Sequence, residues 1–472
     1  MNAHAQCELA TLRASDGAPA DQFSQSTAIS GDVLVIGAPE EDNAAGSSAG
    51  AAYVYRRAAG VWSQEQKLTP LDANGGDDFG FSVAVLADII VVGAPRDDDL
   101  GGSSGSAYVF RFDGSTWTQQ AKLLAADGGT NDRFGQAVSI NNGAIVVGAP
   151  QEDSVQNNAG AAYVFRNSGS NWPPEQKLTA PDLDDFAQFG RSVAIDGDTA
   201  IVGAWQAEPA GTFLVGAAYV FRRSGVTWTL EQKLTASNAA DFRWFGVSVA
   251  ISGDDALVGA FGDRANDLSE SGGAYFFERV GGVWNETQNV HASDAEANDR
   301  FGWSVALQGE NAVIGASAAA EAYWFARNGG VWAQQAGLES ADPGLDASFG
   351  QAVAIDGSDV VVGDPFGGGN GFAVTFELGS IDSDHDGTPD CTDGCPDDAN
   401  KTAPGACGCG TPEAVGDLDG NGAVNLADLA VLLSNFGTPS GAAPSEGDID
   451  NDGDIDLADL SVMLANFGST CP

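Results

Sequence analysis

The chain has 472 residues, 43% of them hydrophobic, and a formal net charge of −46 at pH 7. So dense an acidic charge excludes nucleic acid and anionic membrane faces as partners, since both need clustered Lys and Arg, and it favours cations. No stretch approaches the roughly 20 apolar residues that span a bilayer. The length suits one large repeat domain with small modules attached, and 63 glycines favour many tight turns.

The first residues resemble the end of a targeting signal. Ala3-His4-Ala5 before Gln6 resembles the small-x-small end of a secretory signal. We therefore interpret residues 1–7 as a remnant of such a signal, with the natural start upstream, and expect a secreted or cell-surface protein, extracellular or periplasmic.

The dominant feature of the sequence is a repeat of about 55 residues. A Phe-Gly pair followed by an apolar alternation occurs at Phe79, Phe134, Phe189, Phe245, Phe301 and Phe349, with a degenerate first copy at Phe23-Ser24. About a dozen residues later comes a second mark, Gly-Ala-Pro in the first three copies, as at Gly93-Ala94-Pro95. The two marks together define seven copies.

Each copy predicts four short strands, because Val, Ile, Tyr and Phe runs are bounded by Gly and Asp. Four-stranded units at this period indicate the blades of a β-propeller, so we predict an all-β, seven-bladed domain over residues 8–378. The seventh copy lacks its last strand, whereas residues 8–12 begin the chain with an orphan copy of it. We predict that residues 8–12 complete the seventh blade and so remove an exposed edge.

These units resemble FG-GAP repeats, the family that builds the integrin α-chain propeller and many bacterial surface proteins. The calcium sites of that family are not carried over, because the link that holds them is here a short turn, as at Asp196-Gly197-Asp198. We interpret acidic loops such as Glu40-Glu41-Asp42 and Asp97-Asp98-Asp99 as solvated rather than metal-binding. A tryptophan recurs at one blade position, where we favour packing over a sugar-binding platform: Trp62, Trp117, Trp172, Trp228, Trp284 and Trp332.

Composition changes near residue 379. Oxygen ligands at alternate positions, with a Gly for a sharp turn, suit calcium, and such a pattern is formed by Asp382, Asp384, Asp386 and Asp390. Residues 379–411 resemble a thrombospondin type 3 calcium repeat. Disulfides are predicted for its four cysteines, Cys391, Cys395, Cys407 and Cys409, with three pairings open and a zinc site as the weaker alternative.

Two further acidic loops follow, each matching an EF-hand-like calcium site at positions 1, 3, 5, 7, 9 and 12. The first comprises Asp417, Asp419, Asn421, Ala423, Asn425 and Asp428. The second comprises Asp448, Asp450, Asp452, Asp454, Asp456 and Asp459. An apolar helix pattern follows each loop, over residues 429–436 and 460–467, so we predict a small α-helical calcium-loop domain.

Tandem loops with Asp at position 12 and one helix each resemble type I dockerin domains, over residues 412–472. The resemblance implies calcium as cofactor and a cohesin-like protein as partner. The alternative is a calcium-stabilised cap that docks on its own chain.

The three histidines, His4, His291 and His385, form no Ser-His-Asp or metal pattern in the sequence. We therefore expect a non-catalytic, calcium-stabilised binding or adhesion protein, with a propeller face as the surface for an extracellular protein or glycan. The alternative is an extracellular polysaccharide-degrading enzyme, or a component of an enzyme complex, tethered through the dockerin-like tail, because carboxylate pairs are abundant.

Overall fold

The computed structural model describes residues 8–208, 213–340, 348–379, 415–419, 421–439, 446–450 and 452–470. The chain divides into two compact units, residues 1–378 and 379–472. The predicted ligands Asp382, Asp384, Asp386 and Asp390, and all six cysteines, lie outside the described residues.

The described part of the first unit forms seven antiparallel sheets of four strands. The chain enters on β1 (Glu8–Leu12) and then builds blade 1 from β2 (Ser26–Ser30), β3 (Val33–Ala38), β4 (Ala51–Ala58) and β5 (Val61–Leu68). Blade 2 is β6 (Ser82–Leu86), β7 (Ile89–Ala94), β8 (Ser106–Phe112) and β9 (Trp117–Leu123). Blade 3 is β10 (Ala137–Asn141), β11 (Ala144–Ala149), β12 (Ala161–Arg166) and β13 (Pro174–Leu178).

The next three blades repeat the order. Blade 4 is β14 (Phe189–Asp196), β15 (Thr199–Ala204), β16 (Ala217–Ser224) and β17 (Thr227–Leu234). Blade 5 is β18 (Val249–Ser252), β19 (Asp255–Ala260), β20 (Gly273–Val280) and β21 (Val283–Val290). Blade 6 is β22 (Phe301–Gln308), β23 (Asn311–Ala316), β24 (Glu321–Asn328) and β25 (Val331–Leu338).

Blade 7 joins the two ends of the propeller. Its strands are β26 (Ala352–Asp356), β27 (Asp359–Asp364), β28 (Phe372–Glu377) and, paired antiparallel to β28, β1 from the start of the chain. The first strand of each blade contacts the first strands of its two neighbours, and β26 contacts β2. The predicted seven-bladed propeller of four-stranded blades is therefore confirmed, and the ring is closed.

The repeated glycines allow neighbouring blades to approach closely. A Cβ built on Gly93, from the second mark of blade 2, would lie 2.0 Å from the carbonyl oxygen of Gly135, in the Phe-Gly pair of blade 3. Gly135 itself has a φ of 93°, in the left-handed region that side chains rarely adopt. The two sequence marks are therefore the two sides of one inter-blade contact, which a larger residue would force apart.

The core lies within and between the blades. The Phe of each Phe-Gly pair packs edge-on against aromatic residues of its own blade, as Phe79 does against Tyr108 and Phe110, with ring centroids 5.5 and 5.9 Å apart. The six repeated tryptophans are buried, with at most 9% of the surface of any one exposed. The packing interpretation of these tryptophans is therefore confirmed.

In the second unit the described residues contain two α-helices, α1 (Leu426–Asn435) and α2 (Leu457–Asn466). Asn425 and Asp456 cap them, each in a capping box with the residue three positions later. The helices begin three residues earlier than the apolar pattern predicts, because Leu426 and Leu457 are 72% and 71% exposed and so lie outside the buried stripe. The buried core is Val424, Leu432, Ile455 and Met463. Neither helix is long or apolar enough to cross a membrane.

Candidate functional site

The two acidic loops of the second unit are built alike. In the first, both carboxylate oxygens of Asp417 accept backbone amides, from Asn421 at 3.1 Å and Gly422 at 2.7 Å. In the second, Asp448 accepts the amides of Asp452 and Gly453, both at 3.1 Å. Each loop is thereby folded tightly around its first carboxylate, as an ion-binding loop requires.

The last acid of each loop is the most firmly held. Asp428 is fully buried and accepts the amides of Leu418, Asp419 and Asn425 at 2.7, 3.0 and 2.8 Å. Asp459 is held in the same way by three amides of the second loop. Burial opposes the charge of Asp428, but the three amides outweigh it and lower its pKa, so this carboxylate stays ionised.

The loops bring their predicted ligands together in groups of three. In each group the ligand atoms lie within 4.8 Å of one another: Asp417, Asp419 and Asp428; Asp448, Asp450 and Asp452; and Asp454, Asp456 and Asp459. The remaining predicted ligands of the first loop are also adjacent, since the Asn425 side-chain amide donates to the Ala423 carbonyl at 3.0 Å and lies 3.5 Å from the Asn421 side-chain oxygen.

Two carboxylates of the second loop, Asp450 and Asp454, are crowded by neighbouring acids. A buried Asp454 oxygen has no hydrogen-bond partner among the described residues. Partial desolvation, and then the neighbouring Asp452, raise the pKa of both Asp450 and Asp454. An oxygen-rich set of converging, mutually repelling acids fits a hard divalent cation such as calcium.

The acidic loops of the propeller form ion pairs with lysines. Glu41 is 5% exposed and forms an ion pair with Lys67 at 2.5 Å. Asp97 is 3% exposed and forms an ion pair with Lys122 at 2.8 Å. Burial of Lys122 opposes its charge, but hydrogen bonds to Asp72, Asp97 and Asp99 raise its pKa. The prediction that these loops are solvated is wrong for Glu41 and Asp97, because a lysine from the last strand of the same blade neutralises them.

The sequence reasoning missed a second candidate site, on the rim of the propeller that carries the longer connections, such as residues 39–50 and 69–81. We call this rim the loop face. There an aromatic cluster across blades 4 to 6 is formed by Trp205, Trp244, Phe261 and Trp303. Phe261 is buried and the three tryptophans are partly exposed, and Trp244 stacks on Phe261 with 4.7 Å between the ring centroids. The available signal was that Trp205 and Phe261 replace the proline of the Gly-Ala-Pro mark.

Comparison with known proteins agrees with the repeat pattern. The FG-GAP repeat family profile matches residues 7–55, 62–110, 117–165, 172–221, 228–277, 284–329 and 332–374. Integrin alpha-11 of Homo sapiens is 31% identical over 118 residues, which are 23% of this chain and 10% of that protein. Integrin alpha-2 of Mus musculus is 29% identical over 106 residues, 21% of this chain and 9% of that protein. The chain thus spans about a tenth of the length of these relatives.

A solved chain with a similar fold comes from the "Crystal Structure of Mitotic Checkpoint Complex". Its TM-score is 0.51 at 12% identity, and the similarity covers 79% of this chain and 95% of that one, so it bears on fold alone. The family profile, in contrast, matches well over half of the chain in seven consecutive copies, each of which spans the last strand of one blade and the first three strands of the next. The chain belongs to the FG-GAP repeat family.

Proposed function

We propose that this protein is a secreted or cell-surface, non-catalytic binding protein of the adhesion type. In this proposal the loop face of the propeller holds an extracellular ligand, and the second unit binds calcium and docks another protein. The observation that carries the proposal is the closed FG-GAP propeller, which is similar to integrin α chains and carries its longer described loops on one face.

Calcium binding is supported by the grouped carboxylates of the two loops, which would each hold one ion. Asp417, Asp419 and Asp428 would hold the first, with the Asn421 side chain and the Ala423 carbonyl beside them. Asp448, Asp450 and Asp452 would hold the second, with the group of Asp454, Asp456 and Asp459 beside them, since Asp459 accepts the amide of Asp450. A bound ion would neutralise charge that otherwise opposes folding of so small a core.

Docking of a partner is supported by the helices, which leave apolar side chains exposed at equivalent positions. These are Leu426, Leu433 and Phe436 near α1, and Leu457, Leu464 and Phe467 near α2, each between 42% and 72% exposed. Apolar groups repeated in this way on a small module are typical of a protein-binding surface. We propose a cohesin-like protein as the partner, in keeping with the dockerin-like spacing of the loops.

Calorimetric titration of the full chain with calcium, after treatment with EDTA, tests the metal sites. We expect strong uptake that weakens at least tenfold in Asp419→Ala/Asp450→Ala, and is unchanged in Asp254→Ala, an exposed propeller carboxylate. Absence of calcium uptake by the wild type would contradict the proposal for the second unit.

A glycan and extracellular-protein array, read together with a reducing-sugar release assay, tests the non-catalytic role. We expect retention of a ligand without release of reducing ends. Turnover of a retained polysaccharide would instead support the enzyme alternative.

A further inference from the structure

The centre of the propeller holds a cavity of about 230 Å³, lined by the first strands of all seven blades. The residue after each Phe-Gly pair lies on this lining, at the loop-face end of its strand. We call these seven residues the mouth ring: Gln25, Phe81, Gln136, Arg191, Val247, Trp303 and Gln351. Arg191 is the one charged residue among all those that line the cavity.

Arg191 has no counter-charge among the described residues, although the protein as a whole is strongly acidic. No described carboxylate forms an ion pair with it, and its guanidinium lies over the ring of Trp205 at 5.4 Å from the centroid. Burial, and then the neighbouring cation of Arg133, lower the pKa of Arg191. Because a guanidinium does not lose its proton in proteins, the consequence is an uncompensated positive charge.

The aromatic cluster surrounds this charge on one side. Phe261 contacts three tryptophan rings, those of Trp205, Trp244 and Trp303, with centroids 6.2, 4.7 and 5.2 Å away. Trp303 belongs to both the cluster and the mouth ring. Trp205 contacts Arg191 and Trp303 lines the cavity, so two partly exposed tryptophan rings lie at the Arg191 end of the cavity.

Blade 5 differs from blades 1 to 4 in the ion pair that lies next to the cluster. In blades 1 to 4 a lysine of the last strand lies close to the tyrosine of the third strand, but Asn289 takes the place of that lysine in blade 5. The fully buried Asp263 is therefore paired instead with Arg243, from the loop before β18. The residue after Arg243 is Trp244, whose ring stacks on Phe261.

We propose that the mouth ring and the aromatic cluster bind a short acidic oligosaccharide, with its carboxylate on Arg191 and the apolar face of its sugar ring on the tryptophans. The proposal rests on the proposed ligand-binding role of the loop face and names the class of ligand. A guanidinium stacked on an aromatic ring keeps its N–H edge free, and that edge matches a carboxylate at two points.

The charge of the whole protein favours a short ligand over a long polyanion. At physiological salt, charges further apart than about 8 Å are largely screened, so one carboxylate senses mainly Arg191. A long polyanion would extend over the acidic rim, where like charges repel. A sugar acid also carries a carboxylate and a flat apolar face on one ring, whereas an acidic peptide offers a flexible chain.

The test is calorimetry on the full chain with three probes: a trisaccharide ending in one glucuronate, its methyl ester, and an acidic tripeptide. We expect the trisaccharide to bind, and its affinity to fall at least tenfold for the methyl ester and for Arg191→Gln. Gln136 occupies the equivalent position in blade 3, so Arg191→Gln should keep the wild-type melting temperature. Arg111→Gln, which removes a cation paired with Asp88, is the matched control and should bind within twofold of wild type.

A second pair of variants tests the rings. Trp205→Ala should weaken binding of the trisaccharide at least fivefold, and Trp205→Phe should retain most of it. The inference is overturned if the wild type does not bind the trisaccharide, if Arg191→Gln binds it as well as wild type, or if the peptide binds more tightly. If Arg191→Gln retains every ligand found on the array, this inference fails while the proposed function stands. If the wild type retains no array ligand, both fail.

Discussion

Arg57 and Asp359 form a two-point ion pair, with nitrogen–oxygen distances of 2.5 and 2.7 Å, that joins blade 1 to blade 7. Similar pairs join other blades, as Arg279 joins blade 5 to Glu231 of blade 4. Hydrogen bonds to Asp359 raise the pKa of Arg57 against the opposing effect of burial. The contact that closes the ring is therefore of the same kind as the contacts between consecutive blades.

We expect Arg57→Gln to lower the free energy of unfolding of the propeller by about 1–2 kcal/mol, because a two-point pair is worth more than a single exposed one. Arg111→Gln is the control, since Arg111 forms an exposed pair with Asp88 inside blade 2. Denaturant titration of both variants measures the difference. An equal loss in both would show that the closing pair has no special weight.

Deletion of residues 1–14 removes β1 and leaves β28 as an exposed edge. The loss of the buried Leu12 and of the β1–β28 ladder should cost roughly 5 kcal/mol. At about 2.1 cal/mol/K of unfolding entropy per residue, this lowers the melting temperature of the propeller by about 6 °C. Deletion of residues 1–7, which spares β1, is the control, and an unchanged melting temperature in the longer deletion would refute the role of β1.

Gly93→Ala should destabilise the propeller by about 3 kcal/mol or more, because the added methyl group meets a backbone carbonyl of the next blade that cannot move alone. Gly102→Ala is the matched control in the same blade, since a Cβ there has no atom within 4 Å. We expect it to change stability by less than about 0.5 kcal/mol. Thermal unfolding of the two variants separates a steric effect from a general effect of losing glycine.

Calcium removal should act on the second unit alone. Among the described residues the α-helices are α1 and α2, so helical circular dichroism of the full chain reports on this unit. EDTA should abolish that signal, because calcium at a hundred times its Kd stabilises a folded site by about 2.7 kcal/mol. Propeller melting should stay unchanged, because the described groups of predicted calcium ligands lie in the second unit. A helical signal that persists in EDTA would contradict calcium-dependent folding.

Propeller stability should increase as pH falls from 7.5 to about 5.5. Burial raises the pKa of Asp77 and of Asp132 to about 6, above the ordinary value of 3.8, so between these values the folded state binds more protons than the unfolded state. The stabilisation from these protons is present at low pH and is lost as pH rises through about 6. Melting temperatures across this range measure it.

Asp77→Asn should raise the melting temperature at pH 7.5 and flatten the profile, because its side-chain oxygen can still accept the amide of Asn74. Asp88→Asn, at an exposed carboxylate, is the control. A profile as steep in Asp77→Asn as in wild type would count against Asp77 as a source of the pH dependence.

The fold was predictable because each blade carries its own strand and turn signals, and because the orphan strand at residues 8–12 was visible beside an incomplete seventh copy. The helix starts were missed by three residues, since Leu426 and Leu457 are exposed and only the capping boxes mark them. The aromatic cluster and the Arg191 environment depend on contacts between blades, which a repeat pattern does not specify. The calcium ligands stay a prediction from their spacing in the sequence, and the structure groups their carboxylates closely enough to fit an ion.

Strand β28 lies between β27 and β1, and the chain leaves it for residue 379. Tension applied at residue 379 would load β28, which is hydrogen-bonded to a neighbouring strand on each side. Both hydrogen-bond ladders must therefore break together before β28 is pulled out of the sheet. A last strand at the sheet margin would instead peel away one bond at a time. Borrowing a strand from the start of the chain therefore gives the propeller a mechanically reinforced exit.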